Sequence, residues 1–302
     1  MKIVFMGTPQ FAVPSLQALI EAGHEIVGVV TSTDKWGGRG GKELLCSDVK
    51  QFAQSKGLRI LQPEKLKDPE FIQTLRSLQA DLQVVVAFRM LPEVVWSMPR
   101  LGTLNLHGSL LPRYRGAAPL NWAIIKGEKE TGLTTFLLQH EIDTGDILLQ
   151  YKTPIGENET VGELHDRLMY AGGELVVQTV ALLEKGQIQP QPQDNSLACP
   201  APKIFHENCQ IDWRQSAQEV HNFIRGLSPY PTAWTMLDGQ KLKIFRSQIL
   251  HEEPSSTPGS FVFGKKEVKV ACGQGWLSLL EVQPEKRKRM SIVDFLNGQQ
   301  RL

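Results

Sequence analysis

The sequence predicts an α/β fold: a doubly wound, mostly parallel sheet followed by a smaller domain curled into a β-barrel. Three stretches carry that prediction. Lys2–Gly7, residues 11–22 and residues 25–31 read as strand, helix and strand, the βαβ unit that starts a parallel sheet. Residues 82–88 form an apolar run with Val84, Val85 and Val86 in succession, the mark of a central strand covered on both faces. After a segment rich in proline and glutamine at 188–202, the pattern changes to short alternating runs and a hairpin turn.

The elements follow in order. The first strand ends at Gly7-Thr8-Pro9, and the helix after it closes at Gly23. A nicotinamide-binding domain would carry G-x-G-x-x-G at this turn; only Gly7 is present and Pro9 intrudes, so a dinucleotide site is disfavoured. Residues 32–46 contain Lys35-Trp36-Gly37-Gly38-Arg39-Gly40-Gly41-Lys42, too rich in glycine to hold a helix or a strand, and a solvated loop is expected. Ser47 caps a helix over 47–56, residues 58–61 form a strand, and Asp68 caps a helix to residue 78 with Pro69 at its first position. Phe88-Arg89-Met90-Leu91-Pro92 ends the valine-rich strand. Further strands are expected at 102–107, 131–138 and 147–151, with helices at 117–126 and 160–184, the last weakened by Gly172-Gly173. Beyond the proline-rich segment come a short helix at 216–225, stopped by Ser228-Pro229-Tyr230-Pro231, and a hairpin of 233–237 and 241–245 about Asp238-Gly239. Alternating runs at 260–263, 267–271 and 276–282 complete the small barrel.

Composition limits the function. A chain of 302 residues with 41% hydrophobic and 22% charged residues is a soluble globular protein, long enough for two domains. The longest apolar runs are too short to span a bilayer and no leader pattern is present, so a cytoplasmic location is expected and no membrane partner. Net charge is +1, yet residues 201–302 hold 14 Lys/Arg against 10 Asp/Glu, which leaves a positive excess in the second half. Cys46, Cys199, Cys209 and Cys272 lack C-x-x-C spacing, and the seven histidines fall in no ligand-like pattern, so no metal is expected.

The chemistry gathers around Asn105 and His107. In a strand, residues two apart share a face, so these two side chains project together while Leu104 and Leu106 pack behind them. Gly108 and Pro112 then break the regular structure where the strand ends, the usual place for a ligand on a parallel sheet. A lone histidine there would be a satisfied core residue. A carboxylate at Asp143, in Glu141-Ile142-Asp143-Thr144-Gly145-Asp146, makes a third polar group; Asp146 reads as a turn residue bonded to its own backbone.

Asn105-Leu106-His107-Gly108-Ser109-Leu110-Leu111-Pro112 together with Asp143-Thr144-Gly145-Asp146 resembles the 10-formyltetrahydrofolate-dependent formyltransferases. The likeness reaches both ends of the chain and is nearest to the branch that acts on methionyl-initiator-tRNA. It implies a Rossmann-like catalytic domain over 1–189, a linker over 190–205 and an oligonucleotide-binding-like (OB-like) tRNA-binding domain over 206–302. It implies that Asn105, His107 and Asp143 are catalytic, and that 10-formyltetrahydrofolate is the formyl donor, bordered by Phe88, Arg89, Met90, Leu91, Ser109, Leu110, Leu111 and Pro112. The tRNA would meet Lys35, Trp36, Arg39 and Lys42 in the glycine-rich loop, and Lys286, Arg287, Lys288 and Arg289 near the C-terminus, where the plain reading is a solvated basic turn. The expected form is a monomer. The chain departs from the family pattern in lacking a proline after the loop, where it has Cys46-Ser47-Asp48. Formyltransferases acting on glycinamide ribonucleotide or a nucleotide sugar would share the same three polar residues, and a folate hydrolase that transfers formyl to water is another enzyme reading. A non-catalytic RNA-binding protein is the rival from another class.

Overall fold

Strand β1 (Lys2–Gly7) is buried along Ile3, Val4, Phe5 and Met6, and the sheet grows outward from it on both sides. The chain continues through α1 (Val13–Glu21), β2 (Glu25–Val30), β3 (Lys35–Gly37), β4 (Glu43–Leu45), α2 (Asp48–Ser55), β5 (Ile60–Leu61), α3 (Pro69–Ser77) and β6 (Leu82–Val86). Next come α4 (Glu93–Trp96), β7 (Thr103–His107), α5 (Pro119–Ile125), β8 (Glu130–Leu137), β9 (Ile147–Pro154) and α6 (Val161–Glu184). The computed structural model describes residues 1–37, 43–252 and 256–299. Two units make it up: Met1–Arg115, Gly132–Lys152 and His165–Pro200 form the first, and Gly116–Thr131, Thr153–Leu164 and Ala201–Leu302 the second.

The sheet of the first unit has the order β5-β2-β1-β6-β7-β8-β9. Pairings β2–β5, β1–β2, β1–β6 and β6–β7 are parallel, while β8 runs antiparallel to β7. The order reverses at β1 and β6, the switch point of a doubly wound sheet. Side-chain caps start the helices as the sequence predicts: Ser47 Oγ accepts from the Lys50 amide and Asp68 Oδ1 from the Glu70 amide. Leu66, Phe71, Leu75, Leu91 and Val95 pack with Val4, Met6, Val30 and Val85 into one core cluster.

One expectation changes. The 32–46 stretch is not free of regular structure: β3 and β4 pair antiparallel as Lys35 with Leu45, Trp36 with Leu44 and Gly37 with Glu43. The stem is tied down at its base, where Lys50 pairs with Asp34, Gln62 donates to the Ser32 carbonyl and to Asp34, and Thr31 and Ser47 share a hydroxyl hydrogen bond. Anchored ends and a cross-strand Trp–Leu contact outweigh glycine-rich propensity here. Helix α6 runs as expected over the 160–184 stretch, through Gly172-Gly173. A Cβ at Gly172 would lie 2.7 Å from Leu106 Cδ2, and one at Gly173 2.9 Å from the Pro14 carbonyl oxygen. The two glycines therefore let α6 approach β7 and α1 closely, which offsets their poor helix propensity.

The second unit holds α7 (Ala217–Gly226), β10 (Ala233–Leu237), β11 (Gln240–Leu250), β12 (Phe261–Phe263), β13 (Val268–Ala271), β14 (Trp276–Pro284), β15 (Met290–Ser291) and α8 (Ile292–Gln299). Its antiparallel sheet has the order β10-β11-β14-β13-β12, with β15 added on β14. Register shifts near Arg246 bend β11, so the sheet curls into half a barrel, in keeping with the small barrel expected. Helix α7 starts in a capping box of Ser216 and Glu219 and buries Ala217, Val220 and Ile224 among Leu242, Ile244, Leu277 and Leu279.

Candidate active site

β7 carries Asn105 and His107 to one face of the first unit's sheet, beside Val85 of β6, while Leu106 on the other face meets Gly172 of α6. His107 is 6% exposed. Its Nε2 lies 2.9 Å from the Tyr114 carbonyl oxygen, and a carbonyl can only accept, so Nε2 carries a proton. Its Nδ1 faces Asp143 Oδ2 at 3.7 Å, beyond direct hydrogen-bond reach. The Asn105 side chain is half-buried and has no hydrogen-bond partner among the described residues.

The turn after β7 is built on Thr134 of β8. Its hydroxyl donates to the Ser109 carbonyl at 2.6 Å and accepts from the Leu111 amide at 3.1 Å and from Gln150 Nε2 at 3.0 Å. Gln150 also donates to the Leu111 carbonyl, and Ser109 Oγ donates to the Arg113 carbonyl. One hydroxyl thus fills its donor and both acceptor sites and fixes Ser109, Leu110, Leu111 and Pro112. Tyr114, at φ 59°, is held in turn by its amide donating to Cys199 Sγ at 3.3 Å, which sets the carbonyl that orients His107.

Asp143 sits in the loop between β8 and β9 at φ 55°. A Cβ on the neighbouring Gly145 would come within 1.6 Å of the Leu137 carbonyl oxygen, so only glycine lets this loop return against β8. The loop is further held by Gln193, whose amide nitrogen donates to the carbonyls of Asp143 and Gly145, both at 2.8 Å.

The other predicted residues spread more widely. Phe88, Arg89, Met90 and Leu91 follow β6, at the strand end adjacent to that of β7. Leu91 is buried in the core, Met90 is 72% exposed, and Arg89 reaches back to the carbonyls of Pro63 and Glu64 while lying over the Phe88 ring. Lys35 and Trp36 are exposed on β3, with Trp36 at 72%; Arg39 and Lys42 lie outside the described residues. In the second unit, Lys286, Arg287 and Lys288 are exposed in the turn between β14 and β15. Arg289 differs: it pairs with both carboxylate oxygens of Glu281 and covers the Phe245 ring at 4.3 Å. No group of His, Cys, Asp or Glu able to hold a metal ion occurs among the described residues.

Sequence reasoning missed Thr134, Gln193 and the Tyr114 carbonyl. Thr134 has one legible signal, a polar residue within an otherwise buried strand. Gln193 has none, since it stands in a segment whose composition reads as linker.

Comparison with known proteins now adds to this geometry. Residues 1–180 match the model of the formyl transferase family, and residues 203–300 match that of the formyl transferase C-terminal domain. A protein of Bacteroides fragilis named methionyl-tRNA formyltransferase is 52% identical over 308 residues, covering 99% of this chain and 95% of the relative. One of the same name from Parabacteroides distasonis is 53% identical over 309 residues with the same coverage. Among solved structures, the N-formyltransferase of Helicobacter canadensis in complex with folinic acid and dTDP-3-aminofucose has a TM-score of 0.69 at 19% identity, covering 94% of this chain and 99% of that one. HypX of Aquifex aeolicus in complex with tetrahydrofolic acid has a TM-score of 0.67 at 20% identity over 98% of this chain, which spans 47% of HypX. At such identity the two structures speak for the fold alone.

Proposed function

The chain belongs to the formyl transferase family, and from that premise we propose that it transfers the formyl group of 10-formyltetrahydrofolate to the α-amino nitrogen of methionyl-initiator-tRNA. The observation that carries the chemistry is a buried imidazole facing a carboxylate, next to an asparagine amide with no partner among the described residues. The relatives' shared name, over nearly the full length, supports the acceptor.

In the reaction a bond forms between the amino nitrogen and the formyl carbon, the bond from that carbon to the folate nitrogen breaks, and the amine's proton passes to the leaving nitrogen. Negative charge builds on the formyl oxygen between those events. Asn105 Nδ2 is a donor for that oxygen. His107 keeps Nε2–H on the Tyr114 carbonyl; when the ring is cationic, Nδ1 also bears a proton, shared between the oxyanion and Asp143. Asp143 takes the amine's proton through a water and releases it toward the folate nitrogen. The three groups act as oxyanion stabiliser, hydrogen-bond donor and proton carrier.

The folate lies against residues 109–112, rigid through Thr134, and against half-buried Phe88 and exposed Met90, whose apolar surface fits a flat ring. Trp36 and Lys35, with Arg39 and Lys42, meet the acceptor end of the tRNA, and Lys286, Arg287 and Lys288 meet its phosphates. Residues 1–189 make the catalytic domain and 206–302 the tRNA-binding domain, working as a monomer in the cytoplasm.

The test supplies 10-formyltetrahydrofolate with methionyl-tRNA, glycinamide ribonucleotide and an amino-sugar nucleotide in parallel and weighs each product. A gain of one formyl group on the methionyl group alone is expected. Formylation of either small acceptor instead, or formate release without any amine, would overturn the assignment.

A further inference from the structure

We infer that Gln193, outside the three catalytic side chains, is a positioning residue that sets the place of the Asp143 carboxylate; the inference rests on the function proposed above. Its side chain uses every hydrogen-bonding site it has. Nε2 donates to the Asp143 and Gly145 carbonyls, both at 2.8 Å, while Oε1 accepts from Arg115 Nε at 3.1 Å and Nη2 at 2.6 Å. A guanidinium can only donate and a carbonyl can only accept, so the amide has one orientation that satisfies all four bonds. Arg115 is itself braced by Asn195 Oδ1 at 2.8 Å.

The backbone around Gln193 is docked as well. Gln191 exchanges two backbone hydrogen bonds with Ile147 at 2.8 and 2.9 Å, just past the Asp143 loop, and Pro200 bridges to Arg115. A proline- and glutamine-rich stretch that composition marks as a spacer is thereby seated along the catalytic loop. Asp143 holds a left-handed backbone, φ 55°, which few residues other than glycine, asparagine and aspartate adopt, and two residues on Gly145 is pressed against β8. Gln193 spans the two carbonyls on either side of Thr144 and so clamps this turn in the one form that points Oδ2 at His107. Loss of the clamp moves the carboxylate relative to the reacting nitrogen without touching either substrate.

The experiment compares Gln193→Ala and Gln193→Glu with wild type, alone and combined with Asp143→Asn, measuring kcat, KM for each substrate and the thermal midpoint. Glutamate preserves the pairing with Arg115 but turns an acceptor toward two carbonyls. Both single variants are expected to lose roughly 10- to 100-fold in kcat with both KM values within about 2-fold of wild type, because misplacement of a reacting group acts on the chemical step. Both variants should still melt in one transition well above the assay temperature, so that a loss in kcat is not a loss of folded protein. In the Asp143→Asn background either change should cost less than about 2-fold more, since residues acting through one group are not additive. Unchanged kcat, a loss that follows the thermal midpoint, or the full loss again in the Asp143→Asn background would each overturn the inference. An inactive wild type would instead bring down the functional reading beneath it.

Discussion

In the proposed chemistry Asn105 offers a separable contribution, because its amide is engaged by no described neighbour and its removal strands no other group. Asn105→Ala should therefore lower kcat by roughly 10²-fold or more with little change in stability, the usual cost of an oxyanion donor; steady-state kinetics beside a thermal melt would check both halves. The basic turn invites a finer separation. Lys288 is exposed, whereas Arg289 is spent on Glu281 and Phe245. Lys288→Ala should reduce the salt slope of tRNA binding by about 1, and Arg289→Ala should leave it nearly unchanged. Filter binding at several salt concentrations reads the difference. At this scale the sequence was legible where chemistry repeats along a strand, as at Asn105 and His107, or in a compact motif, as at Asp143. It was silent at Gln193, whose partners Asp143 and Gly145 lie some fifty residues away in the chain and leave no local period.

Elements were legible where pattern and caps agree. Ser47 and Asp68 each start a helix where their side chains promised one, the helix expected over 216–225 is α7, and the valine-rich run is the buried β6. Where glycine-rich stretches hold regular structure, tertiary contact overrides local propensity. The β3–β4 stem survives among glycines because its base is pinned by Lys50, Asp34 and Gln62. Helix α6 tolerates Gly172 because a larger residue would strike Leu106. Gly172→Val should then destabilise the protein by about 1–3 kcal/mol through overpacking, although valine is the better helix former. Equilibrium unfolding in urea would measure it, and a gain in stability would contradict the packing account. As Leu106 stands between Asn105 and His107, the same variant should also lose activity while still folded at low temperature.

For the whole molecule, the response to acid should be set by groups of the second unit. His221 on α7 is 3% exposed and hydrogen-bonded to Ser247 of β11. Burial, reinforced by the nearby Arg225, pushes its pKa down to about 4 from 6.5. Its folded-state value lies below the unfolded one, so the unfolded chain binds the extra proton first. The stabilisation is complete above about pH 6.5 and is lost as pH falls toward 4, amounting to something on the order of 3 kcal/mol at most. Glu163 acts lower on the scale. Burial alone would raise its carboxyl, but hydrogen bonds from Thr160 and the pairing with Arg246 outweigh it and bring the pKa from 4.5 to about 2. Its contribution fades between those values and, for a carboxylate 48% exposed, is about 1 kcal/mol or less after solvent screening. The steep loss of stability should thus come between pH 6.5 and 4. His221→Gln can still reach Ser247 but cannot titrate, so it should flatten that part of the curve. Urea midpoints for the two proteins at pH 7.5, 5.5 and 4.5 decide the matter: parallel curves would mean that the buried imidazole does not govern acid unfolding.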